Sequence, residues 1–390
     1  MISNRPVFTL GFRPFYLVAA VFAVISLPVW LGFYVGVISS GGYLAGLDWH
    51  SHEMVFGFAT AVIAGFLLTA VKNWTGLPTL TGSSLAALVL LWISGRVLML
   101  SGPPVLAAII DFLFIPALAI AIAIPITQSG NIRNFKILVV LGGLMVANSV
   151  FHQAMLGALP FQLTRVSVLA ALDVIVILIA IVAGRVIPAF TGNAVPAARP
   201  HSVYIVEAAA IISLVLVLAV GVSSPWWSIP TSIWIGLLLV AALAHVVRLL
   251  LWDPFKTRGN ALLWMLPVAY AWIPVSLVLR AAAASPLHIA ASSASHALTV
   301  GAVASLMVAM MTRSALGHTG RALKAGRIEV GAFVTLQIAA IVRILPGIVW
   351  PQHYRAFLIG SAVLWSLAFT IFVFGYWSIL TRPRIDDPSG

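Results

Sequence analysis

The sequence contains no cysteine. That absence excludes disulfides, thiolate metal sites, iron–sulfur clusters and covalently attached c-type haem. Any metal must be held by histidine, methionine, carboxylate or backbone oxygen. Charge is almost as scarce. Only 8% of the 390 residues are charged, where a soluble domain has about a quarter. Acidic residues number nine, against 21 lysines and arginines, for a net charge of +12. The cations stand singly at the ends of apolar runs, which is a pattern of membrane topology rather than of a phosphate-binding patch. Nucleic acid is therefore not an expected partner; the lipid bilayer is.

What fills the chain instead is hydrophobic residues, 62% of the total. A spanning helix needs about 20 apolar residues. Twelve segments qualify: 15–36, 50–71, 85–100, 105–126, 136–154, 166–186, 203–221, 233–252, 262–280, 289–312, 331–350 and 355–379. The third is the shortest. Pro/Gly and small polar clusters separate them, such as Thr75-Gly76-Leu77-Pro78 and Ser101-Gly102-Pro103-Pro104. The runs are uniformly apolar rather than alternating, which excludes a β-barrel. The expectation is an all-α, polytopic integral membrane protein, a single twelve-helix domain over residues 1–390. The opening Met1-Ile2-Ser3-Asn4-Arg5 has no small-residue cleavage pattern, so the first segment is expected to stay as a span.

Orientation follows from the cations. With twelve spans, 16 lysines and arginines fall on the side of the N-terminus and five on the other, Arg96, Arg165, Arg280, Arg343 and Arg355. Positive residues favour the cytoplasm, so both termini are expected there, in a bacterial inner membrane. A miscounted span would mix the two sets.

Ionisable groups inside spans are costly and point to function or to internal pairing. Four histidines fall toward the outer side: His50 and His52 at the start of the second span, His152 near the end of the fifth, and His296 in the tenth. Glu53, Asp111 and Asp173 lie at similar depth. Histidines from separate spans with carboxylates behind them are what a metal centre with proton access looks like. In Trp49-His50-Ser51-His52-Glu53-Met54, residues two apart on an α-helix point about 200° apart. His50 and His52 thus serve two centres, or one centre if this turn is extended. His245 and His318, toward the inner side, are the next candidates. Other roles compete for each of these. A lone membrane histidine often only hydrogen-bonds a neighbouring helix. Asp111 and Asp173 can pair with outer arginines such as Arg96 or Arg165. His201, His288 and His353 read as loop residues.

Five stretches carry a resemblance. They are Gly11-Phe12-Arg13-Pro14-Phe15, Trp49 to Phe58, Leu67 to Gly76, Gly184 to Thr191, and His296-Ala297 continuing to Met311 through Arg321. In these blocks the chain resembles the NnrS family of haem- and copper-containing membrane proteins linked to nitric oxide resistance. The likeness runs from the first span to the tenth. It implies haem b and copper held by membrane histidines, with nitric oxide as ligand and a role in nitrosative stress or denitrification. The candidate metal ligands are His50, His52, His152, His296, His245 and His318. Glu53 and Asp173 are candidates for proton handling, and Arg96, Arg165 and Arg280 for pairing with haem propionates. The function expected is binding, detoxification or reduction of nitric oxide, with an electron donor the sequence does not identify. Two other classes remain open: a transporter whose histidines move a metal ion or proton, and a haem nitric oxide sensor without turnover.

Overall fold

The computed structural model describes residues 5–39, 42–44, 46–287 and 289–386; His288 and the first four residues lie outside these. Among the described residues there is no strand. Twelve helices are long and apolar enough to cross a membrane, and the protein is a multi-pass membrane protein. They run Phe12–Tyr34, Gly46–Thr75, Gly82–Ser101, Pro104–Gln128, Ile132–Met155, Leu163–Ala194, Tyr204–Ser223, Thr231–Leu251, Ala261–Ala284, Ala291–His318, Arg327–Gly347 and Pro351–Thr381, here called spans 1 to 12. Each coincides with one sequence segment, and most extend a few residues beyond it. The added turns are polar or small at their ends, which hydropathy alone does not count as membrane.

Helix ends follow local chemistry. Span 2 stops at Gly76, which takes a left-handed φ of 70° and donates its N–H to the Lys72 carbonyl. Span 4 starts on Pro104, whose missing N–H is not needed at a helix start.

The chain packs as two compact units. Unit 1 comprises Met1–Ala171, Met311–Ala322 and Phe369–Gly390; unit 2 comprises Leu172–Met310 and Leu323–Ala368. Span 2 is the most enclosed helix, with 89% of its apolar window buried, against 22% for span 7. A helix so enclosed is where buried polar chemistry can sit out of lipid. Spans 2 and 10 also share a feature the sequence reading did not anticipate. Each winds as a π-helix directly after a histidine, over Glu53–Ala59 after His52 and over Ala297–Ala304 after His296. Such widened turns free a carbonyl and cluster at functional sites.

Candidate metal centre

Six buried polar side chains of unit 1 gather at one depth, the outer end as the cation distribution assigns it. Four helices contribute. Span 2 brings His52 and Glu53, span 3 Arg96, span 4 Asp111, and span 5 Asn148 and His152, and all six are buried. The π turn shapes this cluster. Its Gly57 carbonyl accepts a hydrogen bond from Trp92 Nε1 at 3.1 Å. A Cβ on Gly57 would lie 2.6 Å from Arg96 Nη1 and 3.2 Å from Glu53 Oε2. Glycine here leaves room for the guanidinium to reach the carboxylate; a Cβ would require the guanidinium to shift.

Arg96 donates from Nη1 to Glu53 Oε1 at 2.6 Å and from Nη2 to Asp111 Oδ1. The other Asp111 oxygen, Oδ2, sits 2.9 Å from His152 Nε2, 3.3 Å from His52 Nε2 and 2.9 Å from the Asn148 amide that donates to it. His52 is held from both sides. Its Nδ1 lies 3.1 Å from Glu53 Oε1, and its Nε2 lies 3.1 Å from Asn148 Oδ1. Tyr43, in the loop before span 2, places its hydroxyl 3.4 Å from His152 Nδ1. Burial pushes that hydroxyl above the ordinary phenol range, so it stays protonated and can donate.

Charge balance shows what this arrangement asks for. Glu53 and Asp111 carry two negative charges and Arg96 one positive. Both His52 nitrogens face oxygen acceptors. A metal cation in place of the His52 Nε2 proton would give the two carboxylates a second positive partner beside Arg96. Among the described residues, His52, Asp111 and His152 form the group whose ligand atoms all lie within 4.8 Å of one another. Tetrahedral ligands at the usual bond lengths stand about 3.4 Å apart, so atoms now at 2.9 and 3.3 Å need to part by only a few tenths of an ångström. Two imidazoles and a carboxylate suit zinc, copper or iron. Glu53 would then hold the His52 tautomer through Nδ1, the usual carboxylate–histidine support of a metal ligand. Its Oε2 is buried with no hydrogen-bond partner. The residues fit a metal ion.

The remaining sequence candidates are placed elsewhere. His50 is half-buried and stacks on Trp30 at 4.3 Å. Residues two apart on the helix do diverge, and the His52 group does not include His50. His296, in unit 2, has its Nδ1 2.7 Å from the Ser292 carbonyl, which accepts a hydrogen bond there. His318 packs at the other end of unit 1, its ring 5.7 Å from Phe12.

His245 has both nitrogens engaged, Nδ1 at 2.6 Å from the Tyr270 hydroxyl and Nε2 at 3.2 Å from the Ala210 carbonyl. It belongs to a second buried group that the sequence reading missed, Arg248 with Glu207 and Tyr270. Arg248 donates to Glu207 at 3.0 and 2.5 Å, to Tyr270 at 2.9 Å and to the Ala180 carbonyl at 2.9 Å. Gly184 gives it room, since a Cβ there would run into the guanidinium.

Of the arginines expected to meet propionates, Arg96 is taken up by Glu53 and Asp111. Arg280 is taken up by Asp173 at 2.7 and 3.4 Å and lies 5.6 Å from the Trp234 ring. Arg165 is exposed. Asp173 is thus one half of an ion pair. The pairing of Asp111 with Arg96, weighed from the sequence as the competing role, is the one the structure shows, while Asp173 pairs with Arg280 rather than Arg165.

A family model described as NnrS protein matches residues 6–384. No curated protein matches the chain.

Proposed function

The chain belongs to the NnrS family, and from that membership and the buried His52–Asp111–His152 group we propose that it is a copper- and haem-containing inner-membrane protein of the nitric oxide response. His52, His152 and Asp111 would hold the copper ion. Haem b finds its candidate ligand in His296, whose ring is oriented by the hydrogen bond from Nδ1 to the Ser292 carbonyl. A bound redox metal supplies a coordination position for nitric oxide and a route for electrons.

The chain's own residues have narrower tasks. Arg96 clamps two carboxylates and fixes their orientation. Glu53 orients His52 and keeps one oxygen, Oε2, available to take or give a proton. Phe56 and Phe151, with ring centroids 5.0 and 4.7 Å from that of His52, exclude water from the imidazole. Reduction of two nitric oxide molecules to nitrous oxide and water consumes two protons and two electrons, the electrons from a separate donor. Glu53 is the residue assigned to protons in this reading. Asp173 is not, because Arg280 engages both of its oxygens.

The observation that carries the proposal is a buried, charge-complementary ligand set in a chain of this family. The test is copper and haem quantification on the purified full-length protein and its His52→Ala, His152→Ala, Asp111→Asn and His296→Ala variants. Anaerobic nitrous oxide production with a chemical reductant is measured alongside. Copper is expected to fall in the first three variants and haem in the fourth. A wild-type protein with neither copper nor a Soret band would sink the reading.

A further inference from the structure

Gln337 lies ten residues after Arg327, the start of span 11. At 1.5 Å per residue that is about 15 Å along the helix, near mid-bilayer. A carboxamide at that depth is costly unless both of its ends are bonded. Here both are. Trp272 of span 9 donates from Nε1 to Gln337 Oε1 at 2.8 Å, and Gln337 donates from Nε2 to Ser305 Oγ of span 10 at 2.6 Å. Ser305 Oγ donates in turn to the Val300 carbonyl at 3.0 Å. The first member of this relay fixes its direction. An indole nitrogen only donates, so the amide oxygen faces it. The amide NH2 only donates, so the Ser305 oxygen accepts and its proton goes on to the carbonyl.

The relay ends on the widened turn of span 10. Val300 stands five residues before Ser305, inside the π turn Ala297–Ala304 that follows His296. Its neighbour Gly301 admits the Trp272 ring, since a Cβ there would lie 2.5 Å from the indole. An indole also serves the π turn of span 2, where Trp92 Nε1 donates to the Gly57 carbonyl at 3.1 Å. On the other side of His296, Ser293 Oγ donates to the Ile344 carbonyl of span 11 at 3.2 Å. Gly347 leaves the room this contact needs, because a Cβ on it would run into Ser293 Oγ. Span 11 thus grips span 10 both before and after His296, with the π turn held between the two grips. One residue more or less in such a turn swings the helix before it by about 100° relative to the helix after it. His296 is the residue immediately before the turn, so the direction of its ring depends on the turn staying open.

We infer that Gln337, with Ser305 and Trp272, is a positioning residue for His296. The hydrogen-bond relay across spans 9, 11 and 10 keeps the π turn open and thereby sets where the imidazole points. Its consequence for function rests on the reading of His296 as a haem ligand; the placement of the ring does not.

The chain has no cysteine, so His296→Cys carries a single thiol whose reaction with a water-soluble maleimide reports on that position alone. The rate is measured on full-length protein in detergent, in His296→Cys by itself and combined with Gln337→Ala, Ser305→Ala or Glu207→Gln. Thiol reactivity follows exposure, and a swing of the position should change the rate by about tenfold in the first two combinations. Glu207→Gln removes the charge paired with Arg248 elsewhere in unit 2 and should leave the rate within about twofold. In proteins that keep His296, Gln337→Ala and Ser305→Ala should shift the Soret maximum and the EPR signal of bound haem, which a loss of stability alone does not move. Wild-type protein without a Soret band sinks the haem reading and leaves the labelling rates to decide the positioning. Should Gln337→Ala fail to fold, Ser305→Ala, which removes a single hydroxyl, carries the comparison. Unchanged labelling in the folded variants, or an equal change with Glu207→Gln, overturns the proposal.

Discussion

Replacing Glu53 by Gln separates charge from shape at the candidate metal centre. Glu53 Oε1 takes hydrogen bonds from Arg96 at 2.6 Å and His52 at 3.1 Å, and an amide oxygen in the same place keeps both. Both bonds lose their ionic partner, which costs roughly 1 kcal/mol each. The new NH2 takes the position of Oε2, which has no partner and lies near Gly57. A buried donor without an acceptor adds about 1–3 kcal/mol. The total is about 3–5 kcal/mol of destabilisation by this sum, enough to lower the unfolding midpoint while the helices still form. The effect on metal is distinct. With Glu53 neutral, Arg96 and Asp111 cancel, and the cluster no longer calls for a further positive charge. Metal affinity should fall by about 10- to 100-fold, the usual effect of losing the group that supports a ligand. Chelator competition on the purified variant measures this, with nitric oxide tolerance of a complemented deletion strain as the cellular readout. A dissociation constant within threefold of wild type, with full tolerance, would refute the charge argument and leave Glu53 a structural carboxylate near a helix start.

The other expectations concern single contacts. His52→Ala and His152→Ala should lose the metal of the cluster while His50→Ala, stacked on Trp30, retains it; metal analysis of the three variants decides whether His50 belongs to this centre. Gly57→Ala should push Arg96 off Glu53, because the added Cβ would stand 2.6 Å from Nη1, and lower stability by about 1–3 kcal/mol in thermal unfolding. Tyr270→Phe removes the hydroxyl between His245 and Arg248 and should cost about 1–3 kcal/mol without changing metal content; an unchanged midpoint would show that the bridge contributes nothing. A reporter fused after Gly390 should be active only in its cytoplasmic form, given the 16-to-5 division of lysines and arginines; periplasmic activity would overturn the orientation.

The spans were legible because hydropathy and helix length express the same requirement, that every backbone polar group be paired within lipid. Glu53 and Asp111 were legible as outer-side acids and His52 and His152 as outer-side histidines, since depth follows from span boundaries. Their meeting was not, because depth leaves open which faces of which helices adjoin. His50 shows the limit: helical geometry already implied that it diverges from His52, yet only packing decides that Trp30 receives it. The local winding was hidden for another reason. Ser51-His52 and Ser295-His296 each precede a π turn with glycine five residues after the histidine, at Gly57 and Gly301. No propensity scale distinguishes a π turn from an α turn in such apolar sequence. Arg96 and Arg280 were set against haem propionates, with an ion pair between Arg96 and an outer acid as the competing role. Their carboxylate partners stand 15 and 107 residues away, and pairing across that separation is tertiary. A membrane arginine is therefore read best by its partner: Arg96 and Arg280, each held by an acid, order the fold rather than await a ligand.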